Sequence, residues 1–318
     1  MGFDETTRLA SPTGATLSLR CQPAEGAGKA IVVIAHGLVE HGLRYAEFAA
    51  FLAARGYHVY AHDHRGHGFT EAPGASPGRF AWRDGAHLVR DDMLAVRDFA
   101  ARAHPGLPII LFGHSMGGMI ALSAAIADPS GLAGLAIWNT NISTPVAAKA
   151  AEWVLRAERF FKGSDVPSSL AIRATFEKWA KTIPQARTPF DWLSRDASAV
   201  AQYIADPLCG ADPTVSLWLD IFAMIGDCAA KRQLARLNRN LPLHLVGGGH
   251  DPATDGGRAV QWLANRLQAI GMTAVNTTIY DDMRHETLHE IGRQDVMKAF
   301  AAWTDGVVGK SMGIRAHG

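Results

Sequence analysis

Two short stretches carry reactive side chains at spacings that chance seldom supplies. Gly113-His114-Ser115-Met116-Gly117-Gly118 sets a serine between glycines, the G-x-S-x-G pattern in which a tight turn presents a hydroxyl. Arg284-His285-Glu286-Thr287-Leu288-His289 contains His-Glu-x-x-His, which on a helix puts two imidazoles on one face for zinc. Gly292 and Asp295 even fall where a long zinc motif has a glycine and a third ligand. Placed on a loop after a strand, the same His285 would instead serve as the base of a serine. It cannot serve both chemistries.

Which one it serves depends on the elements that hold it. Short apolar runs at 30–37, 57–63, 108–113 and 132–139 alternate with helical patterns at 43–56, 88–103 and 116–127. Unbroken apolar runs suit strands covered on both faces, and strand–helix alternation gives a parallel sheet between helices. Residues 3–10 and 15–22, joined by Ser11-Pro12-Thr13-Gly14, predict an antiparallel hairpin on the sheet's edge. From about Asn141 only helical patterns follow, until 241–249 and 273–280 resume the sheet around a helix at 257–270. The expected architecture is α/β: a mostly parallel eight-stranded sheet, helices on both faces, and a helical cap insertion. Core segments 1–140 and 227–305 flank a cap at 141–226, and 306–318 is expected to be a loose tail.

In this frame G-x-S-x-G lies between a strand and a helix, so Ser115 stands at the sheet's carboxyl edge. A serine needs a base and the base needs an orienting acid, in the chain order Ser, Asp, His. Asp251 follows the strand at 241–247 and His285 follows the next, so both loops open on the edge that carries Ser115. His285 would take the serine proton while Asp251 holds the ring tautomer. Asp255, Asp281 and Asp282 are rival acids; Asp251 leads because it lies immediately beyond its strand. Two N–H donors for an oxyanion are expected at Met116, directly after the serine, and at Leu38 in the loop HGLVEHG. An ordinary glycine turn is the plainer account of that loop, and is compatible with it.

HGLVEHGLRY (36–45), AHDHRGHGFT (61–70), GHSMGG (113–118), DWLSRD (191–196) with DPLCG (206–210), and RHE (284–286) together resemble the monoacylglycerol lipase and lysophospholipase group of α/β-hydrolases, which overlaps with the serine aminopeptidases. The resemblance runs from about residue 5 to 305. It implies an α/β-hydrolase fold, a Ser-His-Asp esterase of lipid-like monoesters and a mobile helical cap. It supports Ser115, Asp251 and His285 as the triad, with Leu38 and Met116 as oxyanion donors. Under it, Trp153 and Phe161 become candidates to line an acyl tunnel, although apolar stripes at helical spacing more often serve packing. Glu40 and Arg44 become candidates for the alcohol part of a substrate, with a surface ion pair as the equal alternative.

The bulk numbers narrow the partners. The 318 residues are 48% hydrophobic and 19% charged with a net charge of +1, which gives no electrostatic case for nucleic acid or anionic lipid. Three cysteines without a CxxC pair fit a reducing, cytoplasmic setting. The first residues lack the apolar run of a signal peptide, and no stretch approaches the ~18 apolar residues of a membrane span. Transient contact of the cap with a membrane surface is the most that is expected. A serine mechanism calls for no cofactor.

Two metal readings remain to be weighed. His62-x-His64-x-x-His67 has Gly66 where the metallo-β-lactamase pattern needs aspartate. Zinc at 285–289 needs both histidines one turn apart within a helix, whereas TAVNTTIY (273–280) puts His285 on a loop after a strand. It also leaves GHSMGG and Asp251 without a role. A peptidase or amidase would use the same triad, and a catalytically silent binding protein can share the fold. The two histidines should therefore behave unequally. His285→Gln should abolish hydrolysis of a p-nitrophenyl ester while His289→Gln keeps most of it, because a zinc site would need both. Equal losses, with activity that chelators remove and zinc restores, would reverse the assignment.

Overall fold

Unbroken apolar runs become the centre of the sheet, where helices cover both faces. The computed structural model describes residue 3, residues 5–143 and residues 145–316. Its strands are β1 (Glu5–Ala10), β2 (Thr16–Gln22), β3 (Ala30–Ala35), β4 (Tyr57–His62), β5 (Ile109–His114), β6 (Leu132–Trp138), β7 (Leu243–Gly248) and β8 (Val275–Tyr280). They form one sheet in the order β1-β2-β4-β3-β5-β6-β7-β8. The β1–β2 hairpin lies on the edge as expected, β2 meets β4 antiparallel, and every later neighbour is parallel.

The helices are α1 (Ala46–Ala53), α2 (Gly85–Ala103) and α3 (Met116–Ala127), interleaved with the first strands. Between β6 and β7 come α4 (Pro145–Lys162), α5 (Ser169–Ile172), α6 (Lys178–Lys181), α7 (Ala197–Ala205), α8 (Val215–Ala229) and α9 (Lys231–Leu234). A single π turn, Arg173–Glu177, joins α5 to α6. Then α10 (Arg258–Ala269) precedes β8, and α11 (Arg293–Ala316) ends the described chain.

The two-residue period of β3 builds two cores. Ile31, Val33 and Ala35 pack with α2, α3 and α8, while Val32 and Ile34 pack with Phe48 and Leu52 of α1 and with Met297 and Phe300 of α11. Phe112, Trp138 and Phe300 meet edge to face in the second core, with ring centres 4.9, 5.6 and 5.7 Å apart. Each such side chain, once buried, contributes ~1.5–3 kcal/mol.

Two boundaries differ from expectation. The cap boundary at Gly226 falls inside α8, which packs on α2 and α3 as well as on α4. Parallel neighbours such as β6 and β7 need a crossover helix, and α8 supplies it, burying Leu217, Ile221, Met224 and Ile225. The tail from 306 is not loose through residue 316, because α11 continues to Ala316. Val308 joins the second core and Val307 packs against the Gly134 position of β6. Gly306 and Gly309 lower the local helix propensity and hide this helix; residues 317 and 318 lie outside the described residues.

At the join of α8 to α2, Asp220 accepts the Ala86 amide at 3.1 Å. Burial raises the Asp220 pKa to about 6, opposed by that hydrogen bond and reinforced by Asp84. Between the ordinary carboxylate range and about pH 6 the folded state holds the extra proton. Stability contributed by this group therefore falls as pH rises through that window, and stays lower above it. Asp220→Asn keeps the acceptor and removes the charge. Its urea midpoint should exceed wild type at neutral pH, with the gain shrinking as pH falls through about 6 and vanishing only below the ordinary carboxylate range; no gain at neutral pH would refute the assignment.

Candidate active site

β5 delivers Ser115 to the carboxyl edge of the sheet, and α3 begins one residue later. Ser115 adopts φ 54° and ψ −119°, a strained region for an L residue. Its N–H donates to Trp138 O at 2.8 Å, and Thr140 Oγ1 donates to Ser115 O at 2.9 Å. The turn closes only with glycine on either side. A Cβ on Gly113 would strike the Gly117 carbonyl, and one on Gly117 would strike the Ala35 carbonyl.

Ser115 Oγ donates to His285 Nε2 at 2.9 Å, and His285 Nδ1 donates to Asp251, 3.0 Å from each carboxylate oxygen. The proton is assigned to Nδ1 because a carboxylate can only accept. Fully buried Asp251 also accepts from Ala253 N at 2.9 Å, Thr254 Oγ1 at 2.8 Å and Asn139 Nδ2 at 3.1 Å. Burial would push this carboxyl up, but His285 and these donors outweigh it and hold the pKa below the usual range. Among the rivals, Asp255 is paired with Arg258, and Asp281 and Asp282 are exposed. Leu38 and Met116 both line the cavity at Ser115, Met116 as the first residue of α3, where helix N–H groups lack intrahelical acceptors. This geometry lets His285 accept the Ser115 proton while Asp251 fixes the ring.

A buried charge network joins the two loops that flank the serine. Arg44 donates to both oxygens of Glu286, at 2.5 and 2.7 Å, and also to Glu40. Glu40 Oε1 accepts the Gly37 N–H at 2.5 Å and the Tyr45 hydroxyl at 2.9 Å. His114 Nδ1 stands 3.5 Å from Glu40, and its Nε2 donates to His285 O at 2.9 Å. Burial would raise both carboxyls, but Arg44 reverses it at each, helped by His114 at Glu40, and both are lowered. At His114 burial is likewise outweighed by Glu40, and its pKa is raised. Two carboxylates thus share one full cation, with the His114 imidazole beside Glu40.

A cavity of about 520 Å³ opens at Ser115, walled by Phe176, Trp179, Phe190, Trp192, Trp218 and Ile221. Trp192 packs on the His285 ring with centres 5.0 Å apart. Its carbonyl and that of Leu193 accept the His285 and Glu286 amides at 3.4 and 2.8 Å. Arg284 donates back to the carbonyls of Asp191 and Ser194 at 2.6 and 3.1 Å. The DWLSRD segment therefore belongs to the support of His285, which neither its composition nor its spacing announced. Asn139 and Thr254 were also missed; their only signal is that they stand just beyond strands of the same sheet edge.

Several candidates fall elsewhere. Trp153 and Phe161 do not line the cavity. They are 69% and 82% exposed on α4, which turns Leu155 and Glu158 inward, with Ser168 Oγ donating to Glu158 at 2.6 Å. Of the proposed alcohol-side pair, Glu40 lines the cavity, whereas Arg44 lies behind it, taken by its two carboxylates. His285 and His289 face different partners, since His289 Nε2 donates to Arg44 O at 3.0 Å from a short 3₁₀ turn. His62, His64 and His67 are buried beside His36, and burial lowers the pKa of all four. His62 Nε2 donates to His64 Nδ1 at 3.2 Å and His64 Nε2 to His36 O at 3.1 Å, a chain of neutral rings that braces the loop before Leu38.

Comparison with known proteins matches residues 26–292 to the family described as serine aminopeptidase, S33. A monoacylglycerol lipase of Mycolicibacterium smegmatis is 29% identical over 277 residues, 86% of this chain and 88% of that one. The monoglyceride lipase of Rattus norvegicus is 29% identical over 256 residues, 80% of this chain and 75% of the relative. Among solved structures, a thermostable carboxyl esterase from Bacillus coagulans in complex with glycerol superposes with a TM-score of 0.87 at 24% identity, covering 97% of this chain and 99% of that one.

Removing Arg44 should leave Glu40 and Glu286 buried without a partner. Arg44→Met is expected to cost ~3–5 kcal/mol, the usual result of breaking a buried ion pair, measured by urea unfolding. Adding Glu40→Gln and Glu286→Gln should recover much of that loss. A cost below ~1 kcal/mol would show the network to be solvent-screened.

Proposed function

Because the chain belongs to the serine aminopeptidase S33 family of α/β-hydrolases, we propose that it hydrolyses lipid-like monoesters, monoacylglycerols or lysophospholipids, through Ser115, His285 and Asp251. The observation that carries this reading is the hydrogen-bonded series Ser115–His285–Asp251 opening on a cavity walled by aromatic side chains. Its volume of about 520 Å³ falls among pockets that hold small ligands, ~300–1,000 Å³. The relatives' names, monoacylglycerol and monoglyceride lipase, support the same substrate class.

In this mechanism Ser115 Oγ attacks the ester carbonyl as its proton passes to His285 Nε2. The Leu38 and Met116 amides meet the oxyanion. His285 then protonates the leaving alcohol, and an acyl group remains on Ser115. Water, deprotonated by His285, releases the acid and restores the serine. Asp251 stabilises the imidazolium in both halves. Glu40 and Glu286, two carboxylates that line the cavity, are both held by Arg44 and so are not free to bind a substrate's amino group.

The segment 141–214 acts as the cap, and the face of α4 carrying Trp153 and Phe161 is its contact with lipid surfaces. Val146, Val154 and Phe160 are exposed there too, beside exposed Lys149, Arg156 and Arg159. Among the described residues no helix is long and apolar enough to cross a membrane. The three free cysteines support a cytoplasmic location, which cell fractionation checks.

A fluorophosphonate probe should label Ser115 alone, and Ser115→Ala should abolish ester hydrolysis. Asp251→Asn should fold normally and lose ~10⁴-fold in kcat, as expected when the base takes the wrong tautomer. Across a series of esters, Trp179→Ser should slow long acyl chains more than acetyl. Trp153→Ser with Phe161→Ser should slow only vesicle-bound substrate. Labelling at another serine would overturn the triad; no turnover of any ester, with Ser115 unlabelled, would favour a silent binding protein.

A further inference from the structure

The helical stretch that carries Trp179 is not regular. α5, the π turn Arg173–Glu177 and α6 run on without a break from Ser169 to Lys181. A π turn takes up one residue more than an α turn, and such turns are frequent at functional sites. Within it Thr175 Oγ1 donates to Ala171 O at 2.7 Å, the back-bond to the fourth preceding carbonyl that accompanies a bend. The start of α5 is fixed, since Ser168 Oγ accepts the Ala171 amide at 3.1 Å and Ala171 is buried. The turn therefore decides which way the residues after α5 face.

Phe176 is the residue it aims. The ring centre lies 5.6 Å from that of Trp179, 6.0 Å from Trp192 and 5.8 Å from Trp218, rings of α6, the DWLSRD segment and α8. Trp218 and Ile221 belong to the main core, whereas Trp192, Leu193 and Tyr203 form a separate cluster. Both clusters wall the cavity, and among the described residues Phe176 alone packs against both. Its ring thus crosses the cavity from one wall to the other, next to the tryptophan that packs on His285. The buried Nε1 atoms of Trp192 and Trp218 have no hydrogen-bond partner. Ring packing alone holds this bridge, so it can yield without breaking a polar contact.

We propose that Phe176 selects acyl-chain length as a bar across the cavity, and that the π turn holds it in place. Given the ester-hydrolase reading above, on which this rests, the site prefers medium acyl chains that end before the Phe176 ring. Longer chains must displace it. Exchange of the π turn for an α turn would rotate its two flanks against each other by about 100°, one residue at 3.6 per turn. With α5 fixed, that rotation carries Phe176 off the line between Trp192 and Trp218 and opens the cavity lengthwise. Thr175 is not among the residues that line the cavity, so its hydroxyl reaches the substrate only through the turn.

Full-length wild type, Phe176→Ala, Thr175→Val and Thr175→Ser are compared on p-nitrophenyl octanoate and palmitate. Phe176→Ala should raise the palmitate-to-octanoate ratio of kcat/KM roughly fivefold or more, mainly through KM. Thr175→Val keeps the shape and loses the hydroxyl, and should move the ratio the same way. Thr175→Ser, which keeps the hydroxyl, should leave it at the wild-type value. Thr175→Val added to Phe176→Ala should bring no further change, because the turn then has no ring to place. An unchanged or lowered ratio in Phe176→Ala would make the ring ordinary wall and overturn the proposal. No shift with Thr175→Val, or a shift that adds in full to that of Phe176→Ala, would overturn the role of the turn. The preference is also read without turnover, in a Ser115→Ala background, from octanoic and palmitic acid binding followed by tryptophan fluorescence. If no variant hydrolyses any ester while Phe176→Ala still gains palmitic over octanoic acid, the hydrolase reading fails and the selector stands.

Discussion

One guanidinium, Arg44, is held between two buried carboxylates from opposite ends of the chain, and the alignment of the site depends on it. Glu286 is the residue after His285, and Glu40 holds the Gly37 amide directly before Leu38. A single cation therefore sets His285 and the Leu38 loop relative to each other, across 242 positions of sequence. Buried ion pairs seldom add net stability over apolar packing of the same volume. What this one supplies is position. The bidentate fork fits only one arrangement of Glu286, and displacement of either loop would leave a charge without water or partner.

The inserted segment is part of the same alignment rather than a cover laid over it. Trp192 and Leu193 accept the amides of His285 and Glu286, and Arg284 returns two hydrogen bonds to the insertion. The Arg44 guanidinium also stacks 4.9 Å over the Tyr203 ring of α7. His285 is thus held from the sheet side by Asp251, which Asn139 supports, and from the inserted segment by Trp192. Trp192 thereby both lines the cavity and packs on the His285 ring.

What was legible in the sequence follows from how local each signal is. Strands β3 to β7 read clearly because both of their faces are apolar, and Ser115, Asp251 and His285 each follow a strand of their own. In α4 the periodicity marks a distinct face but not the direction it points. The aromatic stripe with Trp153 and Phe161 turns outward, while Glu158 turns inward because Ser168 meets it. The role of α8 was hidden for a related reason: its apolar pattern suits a cap or a crossover equally, and only the pairing of β6 with β7 decides. Arg44 looked like half of a surface pair because its second carboxylate is 242 residues away. Asn139 and Thr254 left only their place beyond a strand as a trace, and a polar residue there is common.

The strand order also has a history in time. β5, the Ser115 turn and α3 can form once the first half of the chain has emerged from the ribosome, since β3, β4 and β5 are already present to pair. Asp251 and His285 arrive only with β7 and β8, after the whole insertion has been made. Non-local parallel pairing of this kind is slow to close. On the proposed mechanism, a nascent chain therefore carries Ser115 for more than half of its synthesis without His285 to activate it. On the same mechanism the protein would stay chemically silent until its last strand is in place, and partly made or truncated chains would carry no esterase activity into the cell.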